Sequence, residues 1–456
     1  MTKTNQTENP AMAASSMRGG SPRAPRLRAP TQGASPRAPQ PRALPIDTNL
    51  VDPDLIPGLE GPPHALFDAW RQSDPVHWNP PNENYRSPLP DGHLDQGFWV
   101  LTRYQDLYEV SRNQDLFSSH EGGPIIWDLK GESLKRQQAN LMGMEKRQHL
   151  AMKRLLLPPF APRQLAAFEP EIQQAAKEIV DAVAPRGECE FVFDVASRLP
   201  VYTFCKLMGI PNEMREQVFR LGNMAADTEN RVEGEESALF QLFAISDALS
   251  AEKREKPDAS LLSSLIHNEV DGEKLDQLSI NMFFVTMSIA GHETTRGTAV
   301  HFIRLMHEHP EQYELLKSDL DKHLPNAIDE VLRHSPPVIK FRRTVMENTA
   351  IGGQPVRKGD KVYLSYPAAN RDPAVFDDPH RFDITRENAN KHLAFGTGPH
   401  VCLGARLAHM QLKALLAEIV TRIPDIHPTG ERAMLRSIWF NAIVRMPVAF
   451  TPEMRH

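Results

Sequence analysis

Hydrophobic and polar positions follow a helical period over much of the chain. From residue 146 onward, apolar residues recur every three or four positions, which is the spacing of one face of an α-helix. Strand-like alternation is scarce as far as residue 307, so this part of the chain is expected to be helical. The pattern predicts helices at residues 169–183, 199–208, 235–253 and 275–307.

Alternation with a period of two marks a smaller β-rich part of the chain. Residues 98–101 predict a short strand, which is followed by a helix at residues 104–113. Residues 343–345 and 361–364 predict paired strands around a Gly-Gly turn at residues 351–353. A last alternation, at residues 444–450, predicts a C-terminal strand. The fold is therefore expected to be mainly α-helical with one β-rich region.

Composition adds a few limits. The chain has 456 residues, of which 40% are hydrophobic and 24% are charged, as in an ordinary globular protein. No stretch reaches 18 apolar residues, so a soluble protein is expected rather than one that spans a membrane. Cys189, Cys205 and Cys402 lie far apart, which disfavours a disulfide framework or a zinc site and favours a reducing cytoplasm.

The first 45 residues differ from the rest of the chain. They are rich in proline, arginine and alanine, repeat Ser-Pro-Arg-Ala-Pro at 21–25 and 35–39, and carry a net charge of +6. Such a segment cannot build a core and is predicted to be a disordered tail, which leaves one domain at residues 46–456. A transit peptide is the alternative, although the segment lacks an amphipathic apolar face.

A short stretch carries the strongest chemical signal. Its six informative positions are Phe395, Gly396, Gly398, His400, Cys402 and Gly404. A cysteine that ligates a metal must be a thiolate, and glycines beside it allow a positive φ and a close approach of backbone N–H groups to the sulfur. Apolar residues then follow at helical spacing from Leu403 to Ala414, which predicts a helix whose dipole favours a charged sulfur. A buried free cysteine is the alternative, but it explains neither the glycines nor the histidine.

This stretch resembles the haem-binding loop of the cytochrome P450 family, and the resemblance covers roughly residues 57–452. It implies the mainly α fold of that family, haem b as the cofactor, Cys402 as the axial iron ligand and a monooxygenase that uses O2. Neither a flavin or ferredoxin module nor a dinucleotide fingerprint is evident, so a separate ferredoxin and ferredoxin reductase are expected to supply electrons. Nothing resembles the N-terminal anchor helix of microsomal members.

The predicted long helix contains Ala290-Gly291-His292-Glu293-Thr294-Thr295, which resembles the oxygen-binding segment of the family. An acid beside an alcohol can relay protons, so Glu293 and Thr294 are the catalytic candidates. Gly291 leaves room for a diatomic ligand, and His292 is expected to be a neighbour rather than an iron ligand. The alternative is an ordinary polar turn of a helix.

Haem carries two propionates, so the resemblance implies that cations converge on them. The candidates are His149, Lys153, Arg343 and His400. Relatives commonly carry arginine at the position of Lys153. Arg154 remains an alternative to Lys153, and Arg342 remains an alternative to Arg343. Solvated surface cations are the structural alternative.

Two further groups of residues carry predictions, the first from the resemblance and the second from charge alone. Glu330 and Arg333 match the buried ion pair of the family, and Arg381 matches its third member, with a structural role. Basic residues at 146, 147 and 154 could dock an acidic electron donor or form a solvated helix face.

The substrate pocket is expected to be apolar. Its candidate lining residues are Phe283, Met287, Ala290, Val338 and Phe440. Core packing would explain Phe283 and Met287 equally well. Residues 335–344 and 436–450 look most like actinobacterial members that act on sterols, branched lipids or terpenoids. The prediction is therefore hydroxylation of an apolar small molecule, with a peroxygenase or a non-catalytic haem sensor as alternatives that would not need Glu293 and Thr294.

Overall fold

The computed structural model describes residues 44–51, 61–82, 93–94, 96–226, 237–270, 272–435 and 437–454. The predicted tail lies almost wholly outside these residues, so the tail and its boundary at residue 45 stay predictions. None of the helices described here has the length and apolar character needed to cross a bilayer.

Helices dominate the described part of the chain. They are α1 (His64–Ser73), α2 (Tyr104–Arg112), α3 (Gly131–Gln138), α4 (Lys146–Leu156), α5 (Pro162–Val183), α6 (Arg198–Met208), α7 (Arg215–Ala226), α8 (Ala238–Glu255), α9 (Leu261–His267), α10 (Gln277–Glu308), α11 (Pro310–Ser318), α12 (Leu320–His334), α13 (Tyr366–Ala369) and α14 (Ala405–Arg422). The mainly α fold is confirmed.

The strands are short and are spread along the described chain. They are β1 (Val76–Asn79), β2 (Phe98–Leu101), β3 (Phe117–Ser118), β4 (Glu188–Glu190), β5 (Glu269–Val270), β6 (Glu273–Lys274), β7 (Lys340–Val345), β8 (Thr349–Ile351), β9 (Gln354–Val356), β10 (Lys361–Ser365), β11 (His427–Pro428), β12 (Ala433–Met434), β13 (Ile443–Arg445) and β14 (Pro447–Ala449). The largest sheet has the order β1-β2-β10-β7-β3, in which only β2 and β10 run parallel.

Helix α10 is the central element of the helical part. It has 32 residues, and the side chain of Asp276 caps its first turn by accepting a hydrogen bond from the Ser279 N–H. It contacts α6, α7, α8, α12 and α14, and most of its residues are buried. A helix that is covered on nearly all sides needs apolar residues on nearly all sides, which is why its sequence is hydrophobic beyond a single stripe.

The helical period located these elements well. The four predicted helices correspond to α5, α6, α8 and α10. The largest difference is at α5, which begins seven residues earlier than predicted. Pro162 occupies its first turn, where the missing N–H of proline leaves no hydrogen bond unmade.

The strand predictions were right for the main sheet and wrong for the C-terminus. β8 and β9 form a hairpin across Gly352 and Gly353, whose φ values of 55° and 88° suit the predicted Gly-Gly turn. Residues 444–450 do not form one strand, because β13 pairs with β12 while β14 pairs with β4 and β11. The chain changes sheets at Met446, whose N–H donates to Glu190 Oε1 and whose carbonyl accepts from the Phe191 N–H.

Candidate active site

The cysteine loop is closed by its own backbone. The Cys402 N–H donates to the Phe395 carbonyl at 2.8 Å, and Gly396 and Gly398 have φ values of 69° and 74°. At Gly398 a Cβ would lie 2.9 Å from the Ser111 carbonyl oxygen. This position therefore requires glycine both for its backbone conformation and for the close approach of α2.

The sulfur of Cys402 lies at the N-terminus of α14. Burial raises the pKa of its thiol, and hydrogen bonds from the backbone N–H groups of Gly404 and Ala405, together with the charge of Lys153, oppose that rise. The side chain is exposed although protein surrounds it closely, so the sulfur faces an internal opening. Burial raises the pKa of Cys189 and Cys205 to about 12, and no backbone N–H group opposes that rise at either thiol.

Open space borders both the cysteine loop and α10. A Cβ added at Gly404 or at Gly291 would meet no atom within 4 Å. Ala290 is exposed in the middle of the otherwise buried α10, and 43% of Val401 is exposed. Because α10 packs against α14, these uncovered surfaces belong to neighbouring elements.

Two histidines and two cationic side chains lie together beside the loop. The ring centroids of His149 and His400 lie 4.3 Å apart, and Lys153 Nζ donates to the Pro399 carbonyl at 2.6 Å. Burial and then Lys153 lower the pKa of His149 to about 4. Burial, Arg343, His149 and Lys153 lower the pKa of His400 to about 2. Such a cluster favours the binding of an anion.

The structure distinguishes between the alternative cations that the sequence offered at two positions. Neighbouring residues of a strand face opposite sides of the sheet. Arg342 lies 3.7 Å from Asp128 and donates to the Trp127 carbonyl. Arg343 is 4% exposed and donates to the Arg342 carbonyl, and no carboxylate of the described residues lies within ion-pair distance of it. Its charge lowers the pKa of His400, so Arg343 is the member of this pair that belongs to the cluster. On α4, Lys153 joins the cluster while Arg154 is exposed.

These residues fit a haem. A thiol that receives two backbone N–H groups suits an iron ligand that binds as thiolate. A buried positive cluster without enough carboxylate partners suits the two propionates. The loop glycines, with Phe395 half-buried beside them, leave the sulfur uncovered on one side.

The two catalytic candidates on α10 have different surroundings. Thr294 is half-buried, and its hydroxyl donates to the Ala290 carbonyl at 2.7 Å. Glu293 is 1% exposed and forms an ion pair with Arg296, which also donates to Asn223 of α7. Successive residues of a helix point about 100° apart, so the carboxylate of Glu293 is directed towards α7.

Two of these neighbours were missed by sequence reasoning. Arg296 and Asn223 hold Glu293, and the signal for Arg296 was its i,i+3 spacing from an acid. His292 is 2% exposed and packs against Phe219 of α7, with ring centroids 5.5 Å apart. It therefore lies on the face of α10 that contacts α7.

The buried ion pair of α12 has a different third member from the one predicted. Glu330 and Arg333 are fully buried and share two hydrogen bonds of 2.7 and 2.8 Å. Arg386 lies 3.3 Å from Glu330, whereas 61% of the Arg381 side chain is exposed. Arg381 contributes only its carbonyl, which accepts from Arg333. The prediction of Arg381 as the third member was wrong, because its side chain turns outward towards Asp383.

The apolar candidates separate into two groups. Val338 and Phe440 form an isolated β-bridge and pack with Ile289 of α10. Met287 is half-buried and Ala290 is exposed. Phe283 is 2% exposed and lies in the main core, so it does not border open space. It lies about two helical turns before Ala290, where the neighbours of α10 cover it.

The turn that carries Phe440 is held in place by polar groups. The hydroxyl of Ser437 accepts hydrogen bonds from the N–H groups of Trp439 and Phe440. His301 of α10 contacts the Asn441 carbonyl through Nε2 at 3.0 Å. The turn is therefore fixed directly to the central helix.

One side of α4 presents both charge and apolar area. Arg147 and Arg154 are exposed two turns apart, and so are Leu150 and Leu157, at 50% and 47%. Lys146 lies at the start of this side and forms an exposed ion pair with Asp115 at 2.9 Å. We call this side of the helix the α4 surface.

Comparisons with known proteins agree with this geometry. The family model for cytochrome P450 matches residues 198–424. The steroid C26-monooxygenase of Mycolicibacterium smegmatis is 34% identical over 418 residues, which are 90% of this chain and 95% of that protein. The methyl-branched lipid omega-hydroxylase of Mycobacterium tuberculosis is 31% identical over 396 residues, 85% of this chain and 91% of that protein.

A solved structure also resembles this fold. The Mycobacterium marinum cytochrome P450 in complex with pseudoionone has a TM-score of 0.78 and 34% sequence identity, and the match covers 85% of this chain and 94% of that one. The matched regions cover nearly the whole length of each of these relatives, so the similarity is not confined to one motif. The chain therefore belongs to the cytochrome P450 family, as a monooxygenase with a haem iron cofactor.

Proposed function

We propose that this chain is a haem b monooxygenase that hydroxylates a largely apolar small molecule, of the steroid, terpenoid or branched-lipid class. The observation that carries the proposal is the placement of Cys402 at the start of α14, where the N–H groups of Gly404 and Ala405 meet its sulfur. When bound, the haem iron supplies the activation of O2. The side chains of this protein supply orientation, exclusion of water and protons.

Two sets of residues hold the cofactor in this proposal. Cys402 would bind the haem iron through its sulfur, and the loop residues Phe395, Gly396, Gly398 and Gly404 would keep that sulfur accessible. His149, Lys153, Arg343 and His400 bind the propionates. The support for the second set is that these side chains lie together, and that the charges of Lys153 and Arg343 lower the pKa values of the histidines beside them. Two anionic groups would relieve that repulsion.

Thr294 and Glu293 deliver protons. The hydroxyl of Thr294 faces the open side of α10 while it donates to the Ala290 carbonyl, so it can exchange that bond for one to a ligand. Glu293 points about 100° away around the helix and is held there by Arg296. A rotation of the Glu293 side chain away from Arg296 makes its carboxyl group available to Thr294, and this gives the pair distinct roles as proton reservoir and donor.

The proposal of an apolar substrate is supported by the residues that line the pocket and by the names of the relatives. Met287 and Ala290 present hydrocarbon surface on α10 near the open space, Val338 and Phe440 pack with Ile289 of the same helix, and Phe283 supports them from the core. Burial of apolar area contributes about 25 cal/mol per Å², so a ligand that buries about 300 Å² gains roughly 7 kcal/mol without polar contacts. The steroid, methyl-branched lipid and pseudoionone in the names of the relatives are all largely hydrocarbon.

The electron donor is a ferredoxin reduced by a ferredoxin reductase. The α4 surface supports this, because exposed arginines with apolar residues between them suit an acidic protein partner. We place the protein in the cytoplasm, because Cys189 and Cys205 are buried free thiols, as is usual in a reducing compartment.

A spectral titration tests the substrate class. Apolar compounds should shift the spin state of the bound haem, while polar compounds of matched size should not. Phe440→Ala should weaken the titration about tenfold, and Phe240→Ala, at an exposed residue of α8, serves as the control. Selective binding of charged compounds would overturn this assignment.

Turnover measurements separate the enzyme from its alternatives. Product formed with NADPH, ferredoxin and ferredoxin reductase supports the monooxygenase. Product formed only with added peroxide would indicate a peroxygenase, and spectral binding without any product would indicate a sensor.

A further inference from the structure

The aromatic ring at the start of the cysteine loop lies against two histidine rings. Phe395 is half-buried, and its ring centroid lies 5.5 Å from that of His392 and 5.4 Å from that of His409. His392 belongs to the chain just before the loop, whereas His409 lies on α14, which follows it. The ring of Phe395 is therefore contacted from both of the segments that flank Cys402.

One carboxylate connects the two histidines. Oδ1 of Asp329 lies 3.4 Å from His392 Nε2 and 3.2 Å from His409 Nε2. Asp329 belongs to α12, which packs against α14, and it directly precedes Glu330 of the buried ion pair. Successive residues of a helix point about 100° apart, so α12 directs one acid towards Arg333 and the next towards the two histidines.

The backbone fixes which nitrogen of His392 carries the proton. The Ala394 N–H donates to His392 Nδ1 at 3.2 Å, so Nδ1 is an acceptor and Nε2 keeps the proton of the neutral ring. That Nε2–H is the group that faces Asp329. A carboxylate beside the N–H of a neutral imidazole fixes both the tautomer and the orientation of the ring. The buried ring of His392 is therefore held at both nitrogens.

The main chain connects Phe395 to the cysteine. The Phe395 carbonyl accepts from the Cys402 N–H at 2.8 Å. A displacement of Phe395 would therefore carry the backbone of Cys402 with it. The same displacement would change how closely the N–H groups of Gly404 and Ala405 approach the sulfur, and those two groups favour its thiolate form.

We propose, on the basis of the proposed role of Cys402 as the iron ligand, that Asp329 is a positioning residue for the cysteine loop. It acts through the two histidines and Phe395. The carboxylate orients the two imidazole rings, the rings hold the side chain of Phe395, and the carbonyl of Phe395 holds the backbone of Cys402. Partners one step removed from a metal ligand keep that ligand in the geometry in which it binds.

The first test follows the thiolate band of the haem-loaded full chain. The measured quantity is the rate at which the long-wavelength Soret band of the reduced carbon monoxide complex is lost at a fixed temperature. Asp329→Asn, which keeps the size of the side chain and removes its charge, should raise that rate about tenfold, the lower end of the usual range for such partners. Asp321→Asn removes an exposed charge from the same helix and should leave the rate unchanged. Equal rates in Asp329→Asn and the wild type would overturn the positioning role.

Far-ultraviolet circular dichroism at the same temperature distinguishes a change in the loop from a loss of the fold. The helical signal of Asp329→Asn should stay constant while its Soret band is lost, because the effect is confined to the loop. Loss of the helical signal at the same rate as the band would mean that the change only destabilises the fold, and this too would overturn the positioning role.

A double-variant cycle tests whether Asp329 acts through Phe395. Phe395→Leu should also speed the loss of the band. Asp329→Asn should then add little to the effect of Phe395→Leu, because the ring that the histidines hold is already gone. Additive effects of the two changes on the logarithm of the rate would show that Asp329 acts by another route, contrary to the proposal.

The wild type separates this role of Asp329 from the function on which it depends. If the wild-type complex lacks the long-wavelength band, Cys402 is not the iron ligand, and the proposed function and the role of Asp329 both fail. If the wild type shows the band and Asp329→Asn keeps it for as long, only the role of Asp329 fails.

Discussion

Glu293 and Arg296 form an ion pair that is almost completely buried, one turn apart on α10. Their side chains are 1% and 3% exposed, and Arg296 also donates to Asn223 of α7. The second oxygen of Glu293 has no hydrogen-bond partner among the described residues. The acid that we propose as a proton source is therefore tied to α7 through Arg296.

Arg296→Gln should destabilise the protein. The change leaves the carboxylate of Glu293 buried without its partner, which typically costs about 3–5 kcal/mol. The measurement is the free energy of unfolding from denaturant titration. Lys317→Gln is the control, because it breaks an exposed i,i+3 pair with Glu314 that is worth at most about 1 kcal/mol.

The double variant Glu293→Gln with Arg296→Gln should recover part of that loss, because it removes both buried charges. A loss of unfolding free energy in the double variant that equals the sum of the losses in the two single variants would show that the two side chains do not interact energetically.

Cys402→His should abolish the long-wavelength Soret band of the reduced carbon monoxide complex, because that band reports thiolate ligation, and activity should be lost with it. Cys205→Ala is the control, since the thiol of Cys205 is buried in the core and has no role in the loop. An unchanged spectrum in Cys402→His would mean that another group ligates the iron.

Thr294→Ala should leave haem and substrate binding intact while it diverts reducing equivalents to peroxide. A positioned proton donor contributes about 10²–10⁴-fold, so product formed per NADPH consumed should fall at least about tenfold. Thr298→Ala is a matched control, because its hydroxyl donates to the Thr294 carbonyl in the same i,i+4 geometry at a fully buried site. Similar coupling in both variants would place the proton path elsewhere.

Arg154→Glu should raise the KM for ferredoxin about tenfold and weaken the salt dependence of reduction, because a charge at the rim of an interface chiefly sets the association rate. Arg163→Glu makes the same charge change at an exposed residue of α5 and should have little effect. Peroxide-supported turnover should be the same in both variants. A fall in that reaction for Arg154→Glu would indicate damage to the fold instead.

Acid should destabilise the protein through His301. Its ring is 3% exposed, donates to the Asn441 carbonyl and accepts from Arg304, so both nitrogens are occupied in the neutral form. Burial, with Arg304, lowers the pKa of His301 to about 3, below its ordinary value of 6.5. The unfolded chain therefore binds the proton more readily, and stability is lost as the pH falls from 6.5 towards 3.

Protonation of His301 should lower the free energy of unfolding by roughly 1.4 kcal/mol for each pH unit between pH 6.5 and 3. His301→Gln should therefore show a shallower dependence of unfolding free energy on pH between about 6.5 and 5. Parallel curves for the variant and the wild type would contradict the assignment.

Local sequence was enough for the helices and the cysteine loop. The period of apolar residues locates α6, α8 and α10 because one face of each helix must be buried whatever it packs against. The loop around Cys402 was equally readable, because positive φ, close approach and thiolate chemistry depend on residues adjacent in the chain.

Tertiary structure decided which of several suitable side chains meet. Arg386 rather than Arg381 reaches Glu330, and Arg343 rather than Arg342 faces His400. The direction of each side chain is set by the distant elements that pack around it. For the same reason, sequence alone determined that α10 carries an acid and an alcohol side by side, whereas only the packing of α7 against α10 decided that the acid would be buried and paired with Arg296.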